Sequence, residues 1–425
     1  MGRLTPKEKR VGLGLGVGFL AFVAYISLGL PDGLLGVAWP SIRGTFSLPL
    51  DSLGALFVST TAGYLSTSFF AGRLTARFRL GALLAASTFF AGVALVGYAL
   101  APRWWVVVVF GVALGLGSGG IDAALNIYVA AHYGERMMQW LHAVYGIGAT
   151  LGPVIMTLAI GSMGSWRWGY AIVGALQLIL AVGFTLTVSR WDDKKGPGRA
   201  EVLEGGEGAA GLGGAEGESD VPRRHHQDVP MLETLREWRV WLSMFLFFLY
   251  MGIEVALGSW AYTLLTESRE VSPRMAGFFM ASYWGIFTVG RIVAGFYTRR
   301  VGERALVVGS LVFTLMGAAL LAVNVPGVLN LVACAIIGLA LAPILAAFLS
   351  GTSRRVGERH TPNSIGIQIA AMGVGAATIP SLTGIVARHL SLDAIPFFMI
   401  ALTVILIGSY LFSLKIARAA RPVVD

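Results

Sequence analysis

Apolar stretches about 20 residues long recur throughout this chain, and that is the length a helix needs to cross the hydrocarbon core of a bilayer. Twelve are read, near 11–40, 53–72, 80–101, 104–132, 138–161, 167–189, 238–265, 275–297, 304–324, 328–350, 362–387 and 394–415. Inside lipid every backbone polar group must be paired within the protein, so segments this long form helices. The alternating ten-residue pattern of an outer-membrane barrel is absent. Charge content agrees. Only 13% of the 425 residues are charged and mean hydropathy is +0.72, against about 25% charged in soluble domains, which must cover a water-facing surface. The expected fold class is all-α membrane protein, with twelve transmembrane helices in two pseudo-symmetric six-helix bundles.

The chain carries 32 Lys and Arg against 23 Asp and Glu, a net charge of +9. Of those basic residues, 25 fall in the N-terminal tail, the even-numbered loops and the C-terminal tail, six in the odd-numbered loops and one, Arg291, inside a helix. The six are Arg43, Arg103, Arg167, Arg269, Arg274 and Arg388. Basic residues favour cytoplasmic loops, so both termini are expected in the cytoplasm of a multi-pass cell (inner) membrane protein. The basic excess is thus a topology signal, and no nucleic-acid partner is expected. A single cysteine, Cys334, rules out an intrachain disulfide framework. The first apolar segment is too long for a signal-peptide core and is expected to remain as helix 1.

One segment breaks the pattern. Residues 191–236 are rich in Gly, Glu and charge and poor in large apolar side chains, a composition that cannot offset its own ordering entropy. We read it as a flexible cytoplasmic linker between an N-terminal bundle, 1–190, and a C-terminal bundle, 237–425. His225 and His226 lie in it without clustered partner ligands, so no metal site is expected. The halves resemble each other. Gly72-Arg73-Leu74-Thr75-Ala76-Arg77 follows segment 2 and Gly295-Phe296-Tyr297-Thr298-Arg299-Arg300 follows segment 8. Asp32-x-x-x-Gly36 and Glu254-x-x-x-Gly258 occupy like places in segments 1 and 7, and Gly146-Ile147-Gly148-Ala149 and Gly373-Val374-Gly375-Ala376 in segments 5 and 11. Two parallel six-helix repeats are an architecture of alternating-access transporters.

Three acids lie inside the apolar segments: Asp32, Asp122 and Glu254. Each costs about 2.5–3.5 kcal/mol at a helix centre, which makes it a functional candidate. Asn126 lies one helical turn from Asp122 on the same face. The pair offers a titratable acceptor beside an amide that both donates and accepts, which suits a solute hydroxyl. The plainer alternative is a hydrogen bond that only joins helices. Pro31 precedes Asp32, and proline beside glycine is expected to break or kink helix 1. Arg291 is either a buried partner for an acid or a side chain reaching the cytoplasmic interface.

The loop after segment 2 resembles that of the major facilitator superfamily: Gly72, Leu74, Arg77 and Phe78 match, while Ala76 and Arg79 replace its acid and second glycine. The second copy keeps Arg300 and Gly302. Gly72, Arg77, Gly295 and Arg300 are therefore candidate gating-loop residues. Within the superfamily, the run Ile121 to Asn126 and the stretch Leu141 to Gly148, followed by Gly152-Pro153, are similar to the fucose:proton symporter group, as is an acid in helix 1. That resemblance implies secondary active transport of a sugar or similar small polar solute, coupled to a proton or sodium ion, with Asp122, Asp32 and Glu254 as coupling-ion candidates. Candidate solute contacts are Asn126, Asp32, Tyr145, His142, Trp260, Trp284 and Gln368, the indoles because a sugar's C–H face stacks on flat rings. Gly148-x-x-x-Gly152-Pro153 also resembles part of a drug:proton antiporter motif, without its later glycines.

Two rival readings stay open: a proton-coupled efflux antiporter for amphiphilic compounds or lipids, and a non-transporting membrane sensor or scaffold. No phosphate-binding loop, cofactor site or metal-ligand spacing is found, so no enzyme is expected. A monomer in the bilayer is the expected state.

Overall fold

A computed structural model describes residues 6–133, 135–191, 229–323 and 327–419. His225, His226 and most of the segment read as a linker lie outside the described residues. The helices are α1 (Pro6–Phe46), α2 (Leu53–Arg77), α3 (Leu80–Leu100), α4 (Trp104–His132), α5 (Glu135–Met163), α6 (Trp166–Thr187), α7 (Met231–Arg236), α8 (Trp238–Thr263), α9 (Pro273–Val301), α10 (Glu303–Ala322), α11 (Val328–Leu341), α12 (Ile344–Ser350), α13 (Thr352–Val356), α14 (Thr361–His389) and α15 (Ala394–Ala419). Each of the twelve apolar segments is met by helix.

Among the described residues, 11 spans are long and apolar enough to cross a bilayer. The twelfth segment, α2, has the length at 25 residues, about 37 Å of helix, but is rich in Ser and Thr. Its hydroxyls are paired at short range: Ser66 donates to the Ala62 carbonyl at 2.7 Å and Thr67 to the Leu116 carbonyl of α4 at 3.0 Å. Pairing of this kind lets a polar helix sit among apolar ones.

The chain divides into two compact units. The first holds Met1–Phe46 and Ser59–Glu207, the second Ser47–Val58 and Gly208–Asp425. The stretch Ser47–Val58, which ends in the first turns of α2, thus groups with the second unit, and Asp51, just before α2, forms a two-oxygen ion pair with Arg388 at the end of α14, both contacts 3.0 Å. In the first unit α1 runs along α5, and α3 runs along both α6 and α4. In the second unit α8 runs along α14, while α10 packs on α11 and α15. The same segment partnerships therefore recur in each half.

Backbone proximity explains the glycines between α1 and α5. A Cβ on Gly152 would sit 2.7 Å from the Cα of Gly33, and one on Gly33 would sit 2.7 Å from Pro153 Cδ. Only hydrogen fits there, and such contacts join helices that lack a hydrophobic drive to associate in lipid.

One sequence expectation changes. Helix α1 is not broken at Pro31; it continues through both Pro31 and Pro40 to Phe46, its close contact with α5 supporting the turn that lacks a donor. The break falls in the tenth segment instead, where Pro343 separates α11 from α12. At the far end of that segment Arg355, side chain 2% exposed, donates to Glu303 at 2.6 Å, and Arg354 also pairs with Glu303. Burial lowers the Arg355 guanidinium from its ordinary value, and Glu303 opposes that fall.

Candidate functional site

Asp122 lies on α4, 18 residues from its start and ten from its end. Its Oδ1 accepts a hydrogen bond from the Tyr25 hydroxyl of α1 at 2.7 Å and from the Asn126 amide at 3.1 Å. Its Oδ2 accepts from the Tyr64 hydroxyl of α2 at 2.6 Å. Three donors from three helices converge on the carboxyl group and fill three of its roughly four acceptor positions. His142 of α5 meets Tyr25 edge-on, ring centroids 5.4 Å apart, so the same tyrosine ties α5 into the cluster.

Asp32 stands in the middle of its span, which runs Gly16–Phe46. It accepts from the Tyr145 hydroxyl of α5 and its side chain is exposed. An exposed carboxylate at that depth belongs beside water, because facing lipid it would carry the full cost of an ion in hydrocarbon. Asp32 also lies within electrostatic range of Tyr64 and Tyr170. The first unit thus gathers Asp32, Asp122, Asn126, Tyr145 and His142, all five of the candidates that the sequence placed on helices α1, α4 and α5.

The second unit has its own acid. Glu254 on α8 is buried and accepts from the Tyr250 hydroxyl one turn earlier. Arg291 of α9 approaches it at 3.6 Å and lies over the Phe287 ring at 4.3 Å. The Tyr283 hydroxyl donates to the Glu254 backbone carbonyl at 3.2 Å. Arg291 therefore does not extend to the interface; its guanidinium turns inward to the acid.

Three further candidates of the second unit are engaged in its interior. Trp260 is fully buried and its indole N–H donates to the Pro380 carbonyl at 2.8 Å. Trp284 is 5% exposed and covers Gly258, with ring contacts to Tyr283 and Phe287. Gln368 is 0% exposed, its amide donating to Ser243 at 2.7 Å and accepting from Thr352 at 3.2 Å. Gly72 and Arg77 near the end of α2, and Gly295 and Arg300 near the end of α9, are exposed.

Sequence reasoning missed Tyr25, Tyr64 and Tyr250, the hydroxyl donors to the acids. Helical spacing held a signal for one of them: Tyr250 precedes Glu254 by four residues, on one helix face. Tyr25 reaches Asp122 from another helix. Nothing in the local sequence aims Tyr64 at Asp122. Among the described residues no group of three or more His, Cys, Asp or Glu could hold a metal ion.

The profile described as Major Facilitator Superfamily matches residues 17–367. The chain belongs to that family of membrane transporters. Among its relatives is "Bypass of stop codon protein 6" of Saccharomyces cerevisiae, 26% identical over 88% of this chain and 77% of that protein. "Sodium-dependent glucose transporter 1A" of Mus musculus is 23% identical over 87% of this chain and 89% of its own. "Hexuronate transporter" of Bacillus subtilis is 23% identical over 95% and 94%. Two solved structures share the fold: a bacterial homolog of the human lysosomal transporter Spinster (TM-score 0.69, 17% identity, 95% of this chain and 97% of that one) and the nucleoside transporter NupG (TM-score 0.72, 15% identity, 94% and 99%).

Proposed function

We propose that this protein is a cation-coupled symporter of a sugar or similar small polar solute, working by alternating access. The observation that carries the reading is the carboxylate–hydroxyl cluster of the first unit. Asp32, exposed at mid-span and bonded to Tyr145, meets the coupling ion and the solute. Asp122, behind it, holds Tyr25, Tyr64 and Asn126 in register. Oxygen donors of this type suit a proton or a sodium ion equally. Tyr145, His142 and Asn126 supply the mixed donors and acceptors that solute hydroxyls require.

Relatives that carry glucose with sodium, or hexuronate, support a sugar-like solute. Glu254, paired with Arg291 and Tyr250, is the second unit's acid, and the buried Trp260, Trp284 and Gln368 brace the helices around it. The exposed Gly72 and Arg77 near the end of α2, and Gly295 and Arg300 near the end of α9, serve as gating elements. The protein acts as a monomer in the cell membrane, with both termini in the cytoplasm.

The test is reconstitution into liposomes with a pH-sensitive dye inside, and separately with labelled sodium outside. Sugar-induced cation entry is expected in the wild type and is expected to fall at least tenfold in Asp32→Asn and Asp122→Asn. Coupled uptake unchanged in both variants would remove the cluster from the mechanism.

A further inference from the structure

The charge inside the membrane spans is one-sided, and this bears on which sugars can enter. In the first six segments no Lys or Arg occurs between Arg10 and Arg43, Arg43 and Arg73, Arg79 and Arg103, Arg103 and Arg136, Arg136 and Arg167, or Arg167 and Arg190. Asp32 and Asp122 thus stand on helices whose interiors carry no basic side chain. In the last six segments Arg239 and Arg304 stand at segment ends, and the one basic residue away from an end is Arg291. It is committed: its guanidinium faces Glu254 at 3.6 Å and stacks over Phe287 at 4.3 Å.

We infer that the solute is an uncharged polyhydroxy compound and that sugar acids are excluded, with Asp32 as the charge filter. This deepens the symport reading and rests on it. Three physical arguments carry it. A carboxylate solute is recognised through a guanidinium fork or an ammonium group. The single guanidinium at that depth already has a carboxylate, and a solute could take it only by leaving Glu254 buried without its cation, which is strongly disfavoured. Second, an anion beside Asp32 meets a like charge where the surroundings screen weakly. One bound coupling cation offsets one of the two carboxylates of the first unit and leaves the other. Third, hydroxyls and an amide bond the two acids: Tyr145 on Asp32, and Tyr25, Tyr64 and Asn126 on Asp122. These pair with neutral hydroxyls, and none of them is a guanidinium or an ammonium group.

The chemistry separates two functions found among the relatives, the carriage of glucose and of hexuronate, and assigns this chain to the neutral side. A matched pair of probes reads the difference, because a uronate differs from its hexose only by a carboxylate in place of a hydroxymethyl group. Proteoliposomes are assayed for uptake of labelled D-glucose and D-galactose, with D-glucuronate and D-galacturonate as labelled substrates and as competitors at pH 7.5. The expected result is uptake of at least one hexose that a hundredfold excess of its uronate leaves unchanged. In Asp32→Asn, read by thermal stabilisation so that loss of transport does not obscure binding, the uronate is expected to gain at least tenfold in apparent affinity relative to the hexose. Uptake of a uronate at a rate equal to or above its hexose would overturn the charge filter while leaving symport intact. Failure of all four sugars to move would overturn the symport reading, and this inference with it.

Discussion

The Glu254–Arg291 pair makes a quantitative prediction about asymmetry. At 3.6 Å two unit charges attract by about 4.6 kcal/mol at an effective dielectric of about 20, a gross figure from which the desolvation of both groups must be taken. The side chains are unequally covered: Glu254 is 7% exposed and Arg291 25%. Arg291→Met leaves a buried carboxylate held only by the Tyr250 hydroxyl, and stranding a buried charge costs about 3–5 kcal/mol. Glu254→Gln leaves the more exposed guanidinium, still stacked on Phe287, and should cost about 1–2 kcal/mol, since a partly exposed charge keeps some solvation. The double variant removes both charges and should cost clearly less than the two singles together. For a unit of roughly 200 residues, 1 kcal/mol moves the melting temperature by about 2–4 °C. Arg291→Met should therefore melt about 6–20 °C below the wild type and Glu254→Gln about 2–8 °C below. Intrinsic tryptophan fluorescence during heating in detergent measures this directly, since the chain has 11 tryptophans. Equal losses for the two singles, or a double variant equal to their sum, would refute the view of a buried, mutually compensated pair.

Two further outcomes are expected. Glu303→Gln should lower stability by about 3–5 kcal/mol in the same unfolding assay, because it strands Arg355, which is 2% exposed and already disfavoured by burial; Glu303→Asp should lose less. Gly148→Leu should abolish correct assembly, seen as aggregation on size-exclusion chromatography, because a Cβ there would lie 3.1 Å from Gly29 Cα and overpacking a backbone contact costs at least about 1–3 kcal/mol.

Segment boundaries were legible because lipid imposes one length and one secondary structure, so hydropathy alone located all twelve helices within a few residues at most ends. The matched glycines and acids made the resemblance of the two halves legible, while which helices pair within each half came from the structure. What local pattern could not supply was the identity of partners across helices. Asp122 was readable as a costly acid, yet its two tyrosine donors lie 97 and 58 residues away in the chain, and no periodicity links such positions. Arg291 was ambiguous for the same reason: whether a long cation reaches water or turns inward depends on what stands on the neighbouring helix. Of the break or kink expected at Pro31, the break does not occur: α1 continues as helix through it, in close contact with α5.

Asp122 illustrates how little material a molecular linkage needs. Its oxygens are the shared anchor of hydroxyls carried by α1 and α2 and of an amide on its own helix. Were a single proton to settle there, an acceptor would become a donor, and one of those neighbours would have to rotate away or find another oxygen. An event at one atom would thereby be felt on three rods at once, with no moving part larger than a phenol ring.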